Sequence, residues 1–260
     1  MKKIVIAGLV LVSCYIGYAQ ETTTPELITD RPDATESPNV VPLKHLQVES
    51  GGFYTTFTDD NDFQTEFIGA TTLLRYGLLE RLELRLGWDF VENQNSFQGN
   101  DFDNVFSGFT PLLAGVKVAV AEEKGLLPEI GLIGHIFLPF SAGQDFRPET
   151  TAVDFRFAFA HTLNSRSSLS YNIGAELGGG SDELAYIYTL SYGLSLTGKL
   201  GAYAEVYGDL PEDSSANHLW DAGLTYLVTP NIQLDATVGT SFTQGQDLLL
   251  SGGITVRIPR

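Results

Sequence analysis

Residues 82–90 read L-E-L-R-L-G-W-D-F, with Leu82, Leu84, Leu86, Trp88 and Phe90 at one parity and Glu83, Arg85, Gly87 and Asp89 at the other. Successive strand side chains take opposite faces, so one surface of this segment suits hydrocarbon while the other carries charges of both signs. The pattern recurs through most of the chain after residue 45. Its runs reach the roughly 9–11 residues that a tilted strand needs to cross a bilayer, where a soluble sandwich strand has about 5–6. Strand plus connection averages about 18 residues, against roughly 8–12 between turn signals in a soluble sandwich. Past the N-terminus no uncharged apolar run is long enough for a spanning helix, and the uncharged stretch 184–198 is short and rich in Ser, Thr, Tyr and Gly. A closed barrel remains, because an open sheet edge in lipid would strand unpaired backbone groups. The expected fold is an all-β transmembrane antiparallel β-barrel.

About twelve strands fit the pattern, near 45–58, 63–76, 80–92, 108–122, 128–140, 150–163, 167–178, 184–197, 199–209, 217–228, 231–243 and 247–258, an even number as bacterial single-chain barrels have. The connections alternate between tight turns and longer polar loops at 59–62, 93–107, 141–149, 179–183, 210–216 and 244–246. Short turns belong on the periplasmic side and longer loops outside the cell, which places both termini in the periplasm of a bacterial outer membrane. Phe57, Trp88, Phe90, Phe109, Phe140, Tyr186, Tyr207, Trp220 and Phe242 fall near loop-side ends, with Tyr76, Tyr171 and Tyr226 near turn-side ends. Amphipathic rings favour the headgroup level, so girdles at both interfaces are expected.

Lys2 and Lys3, an apolar stretch from Ile4 to Ile16, and Gly17-Tyr18-Ala19 have the layout of a signal peptide over 1–19. Leu11-Val12-Ser13-Cys14 also fits a lipoprotein cleavage box, although the residues after Cys14 stay apolar. Cys14 is the only cysteine, so no disulfide or thiolate metal site is expected in the mature chain. The net charge of −17 argues against nucleic acid as a partner. The partners expected instead are membrane lipids and a small-molecule solute.

Residues 20–44 do not read as strand, because Pro25, Pro32, Pro38 and Pro42 withhold ladder donors. Within the segment lies L-I-T-D-R-P-D-A-T-E-S (27–37), followed by V-V-P-L-K-H-L-Q-V-E-S-G-G (40–52). This string resembles the N-terminal signature of the outer-membrane transporter family described as the MetA-pathway of phenol degradation. The resemblance implies an outer-membrane channel for small organic compounds, aromatic or hydrophobic ones among them. Physically, Asp30, Arg31, Asp33 and Glu36 are charges on a proline-stiffened strip. Arg31 can pair bidentately with a carboxylate in the barrel and tuck the strip inside as a plug. The alternative is a loose periplasmic tail. The barrel itself is expected over 45–260.

Parity points Glu49, Glu83, Arg85, Asp89, Lys117, Glu129, His135, Asp154, Arg156, Glu176, Glu205, Asp221, Asp235 and Arg257 into the bore. The reverse orientation would set charges in mid-membrane at roughly 2–4 kcal/mol each. Acids dominate this set, which favours cations over anions if water fills the passage. Two other readings stay open: a closed structural or binding barrel with acidic extracellular loops, and an outer-membrane lipid hydrolase. For the hydrolase, His45, His135, His161 and His218 show no spacing that sets a serine and a histidine together on one outward face. No enzyme, metal site or cofactor is expected, since the histidines lie far apart and no glycine loop has a phosphate-binding pattern. The chain ends Ile258-Pro259-Arg260, without a terminal aromatic.

Overall fold

The computed structural model describes residues 25–259 apart from 60, 180, 243 and 244. The expected signal peptide and Cys14 lie outside the described residues. Among those described, the strands are β1 (Leu46–Thr58), β2 (Phe63–Leu79), β3 (Leu82–Phe97), β4 (Asn100–Phe109), β5 (Leu112–Ala121), β6 (Glu129–Leu138), β7 (Ala152–Asn164), β8 (Ser167–Gly178), β9 (Ser181–Ser195), β10 (Leu200–Pro211), β11 (Asn217–Thr229), β12 (Ile232–Ser241) and β13 (Gln246–Ile258). All pairings between them are antiparallel, and β1 pairs with both β2 and β13, which closes the sheet on itself. β4 and β5 share one place in the wall. Residues 90–97 of β3 pair with β4, and residues 82–87 pair with β5. Thr110-Pro111 separates the two, and proline has no N–H to give the ladder. The circumference is therefore a twelve-strand transmembrane antiparallel barrel.

Two expected loops are corrected. Most of 93–107 is strand: β3 runs on to Phe97 and returns as β4 through a two-residue turn at Gln98 (φ 51°) and Gly99 (φ 75°). Two successive positive φ values suit the primed turns that match strand twist, and glycine adopts them without strain. Almost every residue of β4 is exposed, while on the β3 arm Val91, Asn93 and Ser96 stay buried and the strand remains paired with β2. On β4 neither face is buried, so alternation carries no signal there. The segment 179–183 likewise shrinks to a tight connection, because β9 begins at Ser181. The contrast between barrel ends thus lies in strand extension more than in loop length. The longest loop-side connection, 139–151, holds the 3-10 turns Pro139–Ser141 and Gln144–Phe146. At the 59–62 loop, Asp59 accepts hydrogen bonds from the backbone N–H groups of Phe63 (2.9 Å) and Asn61 (2.8 Å), which hold its carboxyl below the usual range.

The molecule is inside out relative to a soluble protein. Its buried set includes Gln47, Glu49, Arg75, Glu83, Arg85, Lys117, Asn172, Glu205, Asp221, Thr255 and Arg257, with only a few apolar residues such as Leu27, Val41, Ile133 and Ala158. Leu84, Val116, Phe155, Phe157, Ile173, Leu224, Leu234 and Ile254 are exposed on the outer wall. Tyr76 and Tyr226 at the turn end and Phe109, Tyr186 and Phe242 at the loop end are exposed as the girdle pattern requires.

Candidate functional site: the bore and the segment across it

Residues 25–43 run inside the barrel, and polar side chains of the wall hold them along the whole route. At the turn end, Arg257 of β13 donates to the carbonyls of Pro25 (2.6 Å) and Glu26 (2.9 Å). Gln47 of β1 donates to Ile28 O (2.9 Å). The chain then crosses the bore, where the backbone N–H of Ala34 donates to Glu205 (2.7 Å) and the hydroxyl of Thr35 engages Glu205 and Thr189. Asn172 of β8 clasps Glu36 by both backbone groups, accepting from its N–H (2.8 Å) and donating to its carbonyl (2.9 Å). On the way back Asn39 pairs with Glu129, and Val41 N donates to Glu83 (2.8 Å). Pro38 lies so close to Gly131 of β6 that a Cβ there would sit 2.7 Å from its Cα.

A buried ion network forms where this segment meets β1, β2, β3 and β5. The Arg75 guanidinium makes a two-pronged contact with Glu83 (2.8 and 2.9 Å) and reaches Glu49 (2.8 Å) and Asp30 (3.2 Å). Asp30 also accepts from Arg85 (2.7 Å) and from Lys117 through both oxygens (2.9 and 2.7 Å). Arg85 completes the cluster with Glu36 (2.7 Å). Three cations thus face four carboxylates, two of them contributed by the crossing segment. Charge-assisted, forked contacts of this kind are the strong class of hydrogen bond.

Arg31 is seated differently. Thr71, Gly51, Gly253 and Asp235 form one transverse row across β2, β1, β13 and β12. The guanidinium lies along this row, donating to Thr71 Oγ1 (3.2 Å) at one end and to Asp235 Oδ1 (2.9 Å) and Oδ2 (3.4 Å) at the other. Between them a Cβ on either glycine would collide with it. The two glycines make the notch that receives the side chain.

The segment divides the bore into two cavities. The loop-side cavity, about 410 Å³, has Leu73, Leu113 and Phe137 as an apolar wall and Asp89 and Arg85 among its polar groups. The turn-side cavity, about 430 Å³, is lined by hydroxyls, among them Ser168, Ser170, Ser191, Ser195, Tyr203 and Thr225. Arg31 and Asp33 line both.

Of the residues that parity points inward, Glu49, Glu83, Arg85, Lys117, His135, Asp154, Glu205, Asp221, Asp235 and Arg257 are buried, and Asp89, Glu129, Arg156 and Glu176 are half-buried. Glu49, Glu83, Arg85 and Lys117 come together in the ion network with Asp30 and Glu36. His135, Asp154 and Arg156 form a second group (2.9 and 3.0 Å), with Glu176 opposite Asp154 in the register. Asp89, Glu129 and Arg257 stand apart from both groups. Sequence reasoning missed Arg75, the hub of the first. The signal was available: Arg75 sits between Leu74 and exposed Tyr76, so the same parity rule assigns it to the bore. Neutral polar residues such as Gln47, Asn172 and Thr189 were missed because they carry no charge to betray the face.

A family model described as "Putative MetA-pathway of phenol degradation" matches residues 29–258. The chain belongs to that family. Among solved structures, an outer membrane channel from Pseudomonas putida F1 is similar with a TM-score of 0.65 at 12% identity, over 84% of this chain and 97% of that one. The KdgM porin gives a TM-score of 0.53 at 9% identity, over 81% and 98% of the two chains. The transport unit of the autotransporter AIDA-I from Escherichia coli gives 0.52 at 9% identity, over 84% and 90%. At these identities the likeness is one of fold. No match was found among curated protein sequences.

Proposed function

We propose that this family member is a channel of the bacterial outer membrane that passes small organic molecules, with residues 25–43 as a plug that narrows the bore. The observation that carries the reading is the polar interior with a cavity on each side of the crossing segment, inside a wall whose outer face is apolar. The apolar wall of the loop-side cavity favours solutes with a hydrophobic or aromatic part. Residues 1–19 act as the signal peptide, and the termini face the periplasm, where β1 begins and β13 ends beside the short turns. The fold also serves channels and porins among the similar structures. The reading is non-enzymatic, in line with those channels and porins.

Planar-bilayer recording tests it. Discrete conductance steps and solute flux into liposomes are expected, and repeated insertions of folded barrel without either would leave a closed structural barrel. That second reading has its own support in the ion network, which fills one side of the bore. The plug has a separate test. Protease treatment of the folded barrel is expected to leave residues 25–43 intact until the barrel itself is unfolded. N-terminal sequencing that finds them trimmed from folded protein would make them a periplasmic tail.

A further inference from the structure

We propose that the Arg31 side chain is the partition between the two cavities, and that the notch beneath it is a binding site for small organic cations carrying a guanidinium or primary ammonium group. The inference rests on the channel reading and adds what controls the passage and what it selects. The backbone of the crossing segment is fixed from several walls, through Asp30 on β2, β3 and β5, Ala34 and Thr35 on β10, and Glu36 on β8. Opening by withdrawal of the whole segment would break all of these together. Among the described residues the Arg31 side chain is held by Asp235 and Thr71, and it keeps 17% exposure where that of Asp30 keeps 3%. It is also one of the two residues lining both cavities, and the other, Asp33, is acidic.

The chemistry of the notch follows from what Arg31 leaves behind. The Asp235 side chain is fully buried, so its carboxylate is strongly disfavoured without a cation. Arg31 therefore swings away readily only when another cation replaces it. The replacement must be small enough to lie over Gly51 and Gly253 and must donate hydrogen bonds to Asp235, as a guanidinium or primary ammonium does. A quaternary ammonium has the charge but no donor. Further along the route, among the described residues, Asp221 presents a buried Oδ1 without a hydrogen-bond partner.

Single-channel recording on the full chain tests this with Arg31→Ala and Gly253→Ala. The first removes the guanidinium; the second keeps it but fills its seat. Both are expected to raise conductance roughly twofold or more and to shift the reversal potential in a salt gradient towards cations. Millimolar guanidinium is expected to lower the conductance of Arg31→Ala towards that of the unaltered chain, while equimolar tetramethylammonium leaves it unchanged. Folding of each variant is checked by its shift in gel mobility on heating. Unaltered conductance in both folded variants, or equal effects of the two cations, overturns the proposal. A chain lacking residues 25–42 separates the two levels. If it conducts while Arg31→Ala behaves like the unaltered protein, the channel stands and the partition falls; if none of the chains conducts, the channel reading falls and the partition with it.

Discussion

Arg75→Met is expected to destabilise the barrel by about 3–5 kcal/mol, the usual cost of deleting one partner from a buried charge network. The guanidinium is 1% exposed and holds Glu83, Glu49 and Asp30 at once, while also donating to the carbonyls of Ile28 (3.4 Å) and Asn39 (3.1 Å). Methionine fills much of the volume, so the loss reports uncompensated carboxylates more than a void. Arg85 and Lys117 remain, but both already serve Asp30 and Glu36. Urea unfolding in micelles, followed by the heat-dependent gel shift, measures the change. Replacing Glu83 and Glu49 by glutamine alongside Arg75→Met is expected to recover much of it, because the orphaned charges are then gone. A loss below about 1 kcal/mol in the single variant would mean that water reaches the network and screens it.

The second large effect lies one residue away from a native arginine. Arg156 faces the bore beside Asp154, and its neighbour Phe157 faces outward at mid-strand, 41% exposed and edge-on to Phe155 at 5.1 Å. Phe157→Arg is expected to cost about 2–4 kcal/mol in liposomes, the penalty for a cation at the midplane. The same substitution at Phe102, on the exposed strand β4, is expected to change stability by less than about 0.5 kcal/mol. Equal effects at the two sites would remove lipid from the outer wall at Phe157. The two arginines differ only in which side of the sheet they meet, so the contrast isolates the solvent on each side.

The barrel was legible because a single rule, alternate faces for alternate residues, holds wherever one face meets lipid and the other the bore. It points Glu83, Arg85, Asp154, Arg156 and Asp235 inward because a charge is costly on the lipid side, and in the structure four of them are buried and Arg156 half-buried. The rule lost its grip on β4, where both faces are exposed, and so the β3–β4 hairpin read as loop. It also gave no warning at Thr110-Pro111, where one wall position is filled by two strands. Within the bore, parity could say which way a side chain points but not what it meets. The partners of Asp30 come from β2, β3 and β5, distances in sequence that no local pattern encodes. Gly51 and Gly253 carry no local signal either, because they leave room for a side chain from a different part of the chain.

That seat straddles the seam where the first strand meets the last. A slip of one residue at the seam would turn every side chain of β13 inside out, and the hydropathy pattern forbids it. A slip of two preserves the faces, so hydropathy is blind to it. Such a slip would set Ser251 or Thr255 opposite Gly51, and a side chain would occupy the place that Arg31 needs. Docking of residues 25–43 is therefore expected to favour the one alignment in which both halves of the cradle are bare. A lower yield of correctly closed barrel on refolding Gly253→Ala into liposomes would be the mark of that preference, and an unchanged yield would remove it.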